Sequence, residues 1–107
     1  MTKNINDKTF QKEVVEQSKT KPVLVDFFAE WCMPCQMQSP ILEEISSEMK
    51  DQVAIRKINI EESNKTAGDY KVMSIPTLIL FKEGQPKETL VGLQEKQQLT
   101  KLLEKYA

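Results

Sequence analysis

Histidine is absent from this 107-residue sequence, which has only two cysteines, three glycines and one tryptophan. A tetrahedral zinc site needs four cysteine or histidine ligands, so the two cysteines cannot complete one within the chain. No apolar run reaches the length of a membrane span, and the polar start, residues 1–8, lacks the apolar core of a signal peptide. We therefore expect no metal site, no membrane partner and a cytoplasmic location.

An excess of charge of one sign is also lacking. The chain carries 15 basic and 16 acidic residues, interspersed, for a formal net charge of -1. Bulk charge therefore gives no reason to expect binding to nucleic acid or to an anionic membrane. The length suits a single domain over residues 1–107, and the lack of a large exposed apolar stripe favours a monomer.

The two cysteines, Cys32 and Cys35, lie between two segments with clear patterns. Before them, the apolar and β-branched run over residues 22–28 predicts a strand buried on both faces. After them, apolar residues recur on one side of a predicted helix: Met37, Ile41, Leu42, Ile45 and Met49. Both cysteines are therefore expected in the first turn of that helix, directly after a buried strand.

This position favours redox chemistry. A cysteine reacts as its thiolate, which is stabilised by the positive end of a helix dipole and by unpaired backbone N–H groups. We expect Cys32 to receive this stabilisation and Cys35 to lie deeper, so that one sulfur attacks and the other resolves. In a reducing compartment, catalysis explains an isolated Cys-x-x-Cys pair better than a structural disulfide does, with two buried structural cysteines as the alternative.

Asp26 is the one charged residue of the predicted buried strand. A carboxylate among apolar side chains is unfavourable unless it is paired, so its pKa should be raised toward neutrality, where the group can move protons. The alternative is an aspartate at the strand end that caps a turn in water. Lys57 shares a face of the next predicted strand with Val53 and Ile55, so it should point toward apolar side chains.

The other predicted elements alternate along the chain. A helix capped by Asn6 or Asp7 precedes the buried strand, with a short edge strand before it. Pro40 should kink the cysteine helix without ending it. Later elements are strands over 53–60, 72–81 and 87–91, a weak helix over 63–70, and a final helix with Leu99, Leu102, Leu103 and Tyr106 on one face. The order predicts an α/β sheet with a right-handed parallel crossover, an antiparallel edge and helices on both faces.

Five motifs, in order and at matching separations, resemble the thioredoxin family over essentially the whole chain. They lie at residues 23–35, which contain Trp31-Cys32-Met33-Pro34-Cys35, at 39–45, at 57–60, at 74–78, which contain Ile75-Pro76-Thr77, and at 81–84 with Val91-Gly92. The resemblance implies a thioredoxin fold, an α/β structure with a five-stranded mixed sheet flanked by four helices. The redox pair would then lie at the carboxyl edge of the sheet.

The resemblance also implies a role for individual residues. Cys32 would be the attacking nucleophile and Cys35 the resolving thiol of a redox disulfide. Asp26 would take the proton of Cys35 through a water, with Lys57 as its neighbouring charge. A shallow apolar groove for substrate would be lined by Trp31, Met33, Pro34, Met73, Ile75, Pro76, Gly92 and Leu93. Pro76 would be cis and the backbone of Ile75 would pair with an extended substrate. Without the resemblance, Pro76 would simply start a strand.

The implied activity is that of a protein-disulfide reductase, an oxidoreductase for electron transport and cell redox homeostasis that needs no bound cofactor. Its partners would be disulfide-containing proteins and thioredoxin reductase, an NADPH-dependent flavoprotein. An oxidant or isomerase on the same fold and a binding module that acts as an accessory subunit are the alternatives. Four positions depart from the usual family pattern: Phe28 replaces tryptophan, Met33 glycine, Gln36 lysine, and Gln94 a good helix cap. Met33 should change the redox potential and the groove.

Overall fold

In the computed structural model, which describes residues 2–107, five strands form a mixed sheet in the order β1-β3-β2-β4-β5. The strands are β1 Lys3–Ile5, β2 Val23–Phe28, β3 Ala54–Asn59, β4 Thr77–Lys82 and β5 Gln85–Val91. Strand β3 pairs in parallel with both β1 and β2, whereas β4 pairs antiparallel with β2 and β5. The predicted α/β sheet with an antiparallel edge is confirmed.

Helices connect these strands. An N-terminal helical segment has π-type geometry over Gln11–Glu16 and a 3₁₀ turn over Gln17–Lys19. The α-helices are α1 Met33–Glu48, α2 Asn64–Asp69 and α3 Lys96–Tyr106. With the N-terminal segment counted as one helix, residues 2–107 contain the four helices that the resemblance implies.

Strand β2 lies in the middle of the sheet and is buried on both faces. On one face Val23, Val25 and Phe27 pack with residues of the N-terminal segment and the neighbouring strands: Phe10, Val14, Ile58, Ile79 and Phe81. On the other face Leu24 packs with residues of α1 and α3: Leu42, Ile45, Leu99 and Leu103. The prediction that this strand is buried on both faces is confirmed.

The buried side of α1 differs from the predicted one at its first turns. Met37 is 54% exposed, so its predicted place in the core is wrong, whereas Gln38 is completely buried. The buried positions recur at spacings of three and four residues: Cys35, Gln38, Leu42, Ile45 and Met49. The apolar pattern identified Leu42, Ile45 and Met49 correctly but not Gln38, because a glutamine is not an apolar residue. Helix α1 continues past Pro40 as expected, and the kink stays a prediction.

Two strand boundaries also differ from the prediction. Strand β4 begins at Thr77 and not at residue 72, because the proline just before it has no N–H to contribute to a ladder. Strand β5 begins at Gln85 and includes Pro86, which an edge strand tolerates. The hairpin turn is therefore only two residues long, and both residues have positive φ, as tight hairpins require.

The two predicted capping residues have separate roles. The side-chain oxygen of Asn6 accepts the N–H groups of Lys8 and Thr9 at 2.9 and 3.1 Å, so it caps the turn before the helical segment. The carboxylate of Asp7 instead accepts the N–H and the hydroxyl of Thr66 at 2.9 and 2.6 Å. The hydroxyl bond is the main cause that lowers the pKa of Asp7. Asp7 therefore joins the N-terminal turn to α2.

Replacement of Leu103 by alanine should lower the free energy of unfolding by about 2–5 kcal/mol, because it empties a fully buried position of α3. The adjacent Leu102 is only partly buried, so Leu102→Ala is the matched control and should have a smaller effect. Urea unfolding followed by circular dichroism measures both. Equal losses would show that α3 does not pack by the face described.

Candidate active site

The two cysteines lie at the junction between β2 and α1. Cys32 immediately precedes the helix with an extended backbone, φ -86° and ψ 111°, and Cys35 is the third helical residue. Their Sγ atoms are joined as a disulfide. The backbone N–H of Cys35 also points at Sγ of Cys32, with the nitrogen 3.2 Å from the sulfur. Cys32 is therefore the helix cap, and its sulfur occupies the site where a helix N-terminus binds an anion.

Exposure does not distinguish the two sulfurs in the way that was expected. Both cysteines are 4% exposed and pack with Ala29, Phe28 and Ile75. The predicted deeper burial of Cys35 is therefore not seen in the disulfide form. The difference between them is the hydrogen bond, because the Cys35 N–H points at the Cys32 sulfur, where it would favour a thiolate in the reduced form.

Asp26 lies on β2, within the core. The residue has no exposed surface, and neither carboxylate oxygen has a hydrogen-bond partner within residues 2–107. It is in register with Lys57 on β3 and with Leu78 on β4. Burial raises the pKa of Asp26 to about 7, and the nearby charge of Lys57 acts in the opposite direction. The geometry is that of the buried carboxylate and not of a turn cap in water.

Lys57 is not bonded to Asp26. Its ammonium donates a hydrogen bond to the hydroxyl of Ser39 at 2.7 Å and lies 4.9 Å from the ring centroid of Phe28. Within residues 2–107 it forms no ion pair shorter than 4.0 Å. Ser39 was not predicted as a site residue. Its position four residues after Cys35, on the same side of α1, is the signal that would have identified it.

A cavity of about 380 Å³ opens beside Cys35. Its lining residues come from β1, the β2–α1 connection, α1 and β3: Asn4, Phe28, Ala29, Glu30, Cys35, Gln36, Ser39 and Lys57. The volume is enough for several waters at about 30 Å³ each. Cys35 and the Lys57 ammonium therefore face one space that water can fill.

Apolar side chains are exposed around the disulfide. Trp31 is 67% exposed and its indole N–H donates to the carboxylate of Glu61 at 2.8 Å, so its ring is held to the loop after β3. Met33, Met73 and Leu93 are also exposed, and Pro34 lies in the first turn of α1. These residues include much of the predicted groove.

The remaining groove residues meet next to the cysteines. Ile75 packs against the cysteine cluster, and its peptide bond to Pro76 is cis. The carbonyl of Pro76 accepts the N–H of Gly92 at 2.8 Å, which brings the β5–α3 connection to the same place. Val91, which was not among the predicted groove residues, is 61% exposed beside it.

Within residues 2–107, no three histidine, cysteine or acidic side chains are grouped so as to hold a metal ion. In the same part of the chain, no helix combines the length and apolar character that crossing a membrane requires.

Comparison with known proteins gives a consistent result. The sequence model of the family described as Thioredoxin matches residues 1–105. The thioredoxin of Rickettsia prowazekii (strain Madrid E) is 50% identical over 99 residues, which cover 92% of each chain. That of Alicyclobacillus acidocaldarius subsp. acidocaldarius is 46% identical over 98 residues, covering 92% of this chain and 90% of the relative. Thioredoxin 1 of Synechococcus elongatus is 45% identical over 102 residues, covering 95% and 94%.

Asp26→Ala should stabilise the disulfide form at about pH 8 and lose this advantage as the pH falls toward about 4. The folded pKa of about 7 lies above the ordinary value of 3.8. The folded state therefore binds the proton more tightly, and ionisation of Asp26 destabilises it fully above pH 7 and not at all below the unfolded pKa. The pH-dependent difference is on the order of 4 kcal/mol.

Urea unfolding across this pH range measures the difference. The packing lost with the side chain is independent of pH. The test is therefore how the difference in unfolding free energy between Asp26→Ala and the unsubstituted protein changes with pH. The exposed carboxylate of Asp51 provides the matched control, Asp51→Ala. A stability difference that stays constant with pH would show that Asp26 ionises as easily in the folded as in the unfolded chain.

Ser39→Ala should lower the pKa of Asp26. Loss of the hydroxyl frees the Lys57 ammonium, and a positive charge that moves closer to a carboxylate favours its ionised form. Carboxyl-carbon NMR titration of Asp26 measures the shift, with Ser39→Thr expected to restore the original titration. Ser46→Ala, a buried serine farther along α1, is the control. An unchanged titration in Ser39→Ala would show that Ser39 does not restrain Lys57.

Proposed function

Since this chain belongs to the thioredoxin family and is a thiol–disulfide oxidoreductase, we propose that it acts as a reductant of protein disulfides in the cytoplasm. As a member of this family it interacts in general with disulfide substrates and with a reductase. We further propose that this reductase is an NADPH-dependent flavoprotein, and that the chain works as a monomer of one domain.

In the proposed reaction the Cys32 thiolate attacks one sulfur of the substrate disulfide. A bond forms between Sγ of Cys32 and that sulfur, the substrate S–S bond breaks, and the second substrate sulfur leaves as a thiolate. Cys35 then attacks Sγ of Cys32 and releases the first substrate sulfur. Two electrons have passed to the substrate, and Cys32 and Cys35 are left as a disulfide, which the reductase returns to two thiols.

One observation carries the assignment of the nucleophile. The Cys35 N–H at the start of α1 points at Sγ of Cys32, and no equivalent donor is aimed at Sγ of Cys35 within residues 2–107. A hydrogen bond and a helix dipole both favour the thiolate. Cys32 is therefore proposed to be the sulfur that is ionised and attacks first.

Cys35 must lose its own proton before it can resolve the mixed disulfide. Asp26 is proposed as the acceptor, because a carboxylate with a pKa of about 7 exchanges protons readily near neutral pH. A water would carry the proton from Cys35, and Lys57, which lines the cavity beside Cys35, would tune how easily Asp26 ionises. Asp26 and Lys57 thus act on the second half of the reaction.

The exposed apolar residues are proposed to dock the substrate. The predicted groove, made of Trp31, Met33, Pro34, Met73, Ile75, Pro76, Gly92 and Leu93, is small, which suits weak and transient binding of many proteins. An extended substrate segment would pair with the backbone at Ile75, beside the cysteine cluster. Docking there would bring the substrate disulfide to Cys32.

Cys32→Ser should abolish reduction of a protein disulfide such as that of insulin, because no nucleophile remains to form the mixed disulfide. Cys35→Ser should instead form the mixed disulfide and accumulate it, because the resolving thiol is missing. Turbidity of reduced insulin measures turnover, and mass spectrometry of the trapped species identifies the linked cysteine. Full activity in Cys32→Ser, or trapping through Cys35, would contradict the assignment.

A further inference from the structure

Gln38 is a completely buried amide on α1, one turn after Cys35. Its side chain makes two hydrogen bonds to the backbone of Gln94, in the connection between β5 and α3. The side-chain nitrogen donates to the Gln94 carbonyl at 3.1 Å, and the side-chain oxygen accepts the Gln94 N–H at 2.7 Å. The buried amide therefore holds this connection in the way a neighbouring strand would.

The side chain of Gln94 extends this hydrogen-bond network back toward the end of β5. Its amide nitrogen donates to the carbonyls of Val91 and Gly92 at 3.2 and 3.1 Å. The N–H of Gly92 in turn donates to the carbonyl of Pro76. An unbroken series of hydrogen bonds thus joins α1, the connection after β5 and the segment at Pro76, the three parts of the chain that carry the proposed substrate groove.

Packing alone does not explain a glutamine at this place. Position 38 belongs to the stripe of α1 otherwise filled by residues such as Leu42 and Ile45, where an apolar side chain would remove more apolar surface from water. A buried amide is unfavourable unless its polar groups are paired. Here both ends of the amide are paired with one residue of the groove-bearing connection.

The connection has few other restraints. Strand β5 ends at Val91, Gly92 follows with φ +91°, and α3 begins at Lys96 without a side-chain cap at Glu95. Between these points Leu93 is exposed. The position of this segment therefore depends on the Gln38–Gln94 network and on the bond from Gly92 to Pro76.

We propose that Gln38 and Gln94 are positioning residues that set the Gly92–Leu93 wall of the groove relative to the cysteine pair and thereby the affinity for protein disulfides. This inference rests on the proposed function, because the wall matters only if substrates dock there. A protein substrate contacts the wall while its disulfide meets Cys32. A small disulfide needs access to Cys32 alone, so its reduction rate does not depend on the position of the wall.

Gln94→Ala is the main test, because it removes only the side-chain bonds to the two carbonyls of the segment. With a protein disulfide such as insulin as substrate, we expect KM to rise by about 2- to 10-fold, the range expected for loss of one or two hydrogen bonds. We expect kcat to stay constant. The rate with 5,5′-dithiobis(2-nitrobenzoate), a small disulfide, and the redox potential should both be unchanged.

Gln97→Ala is the matched control, since it makes the same chemical change at an exposed position three residues later. Gln38→Leu is a second variant that removes the other half of the network and keeps the position filled. Amide hydrogen exchange at Gly92 and Leu93 should be faster in both test variants than in Gln97→Ala. The urea midpoint of each variant establishes that it is folded at the assay temperature.

Two results would overturn the inference. One is an unchanged KM for insulin in Gln94→Ala, and the other is an equal loss of activity toward insulin and the small disulfide, which would indicate general damage to the cysteine site. Failure of the proposed function would look different, because the unsubstituted protein would then fail to reduce insulin, whatever its rate with the small disulfide.

Discussion

The chemistry proposed for this protein depends on one hydrogen bond at the start of α1, from the Cys35 N–H to Sγ of Cys32. The bond exists because a strand buried on both faces ends at Phe28, and the chain then enters a helix with Cys32 as its cap. A helix N-terminus has N–H groups without partners, and a thiolate is a good acceptor for them. The sheet and the helix are the scaffold that holds this sulfur in place.

Helix α1 organises the rest of the site through residues at helical spacing. Cys35, Gln38 and Ser39 follow one another on its inner side, and each meets a different part of the chain. Cys35 bonds to Cys32, Gln38 to the connection after β5, and Ser39 to Lys57 on β3. The helix therefore sets the positions of the sulfur pair, the proposed docking surface and Lys57 relative to one another.

Three polar side chains occupy inward-facing positions where an apolar side chain would normally be expected. Among the described residues Asp26 has no hydrogen-bond partner, whereas Gln38 and Lys57 bond to residues of other elements. An unpaired buried carboxyl is destabilising once ionised, and its pKa of about 7 suits the proton transfer proposed for it. Gln38 and Lys57, whose polar groups are paired, instead restrict how the elements they join are arranged, because a satisfied polar network favours one geometry.

The sequence by itself determined the α/β class, the buried strand β2 and the place of the cysteines at a helix start, because each follows from local periodicity, whereas it left the burial of Asp26 as one of two alternatives. Only the tertiary structure decided that Gln38 faces inward while Met37 does not, that Gln38 bonds to Gln94 and that Lys57 bonds to Ser39. The two hydrogen-bonded pairs are 56 and 18 positions apart in the chain. Hydrophobic pattern indicates which face of an element is buried, but a polar partner on another element is specified only when the fold brings the two together.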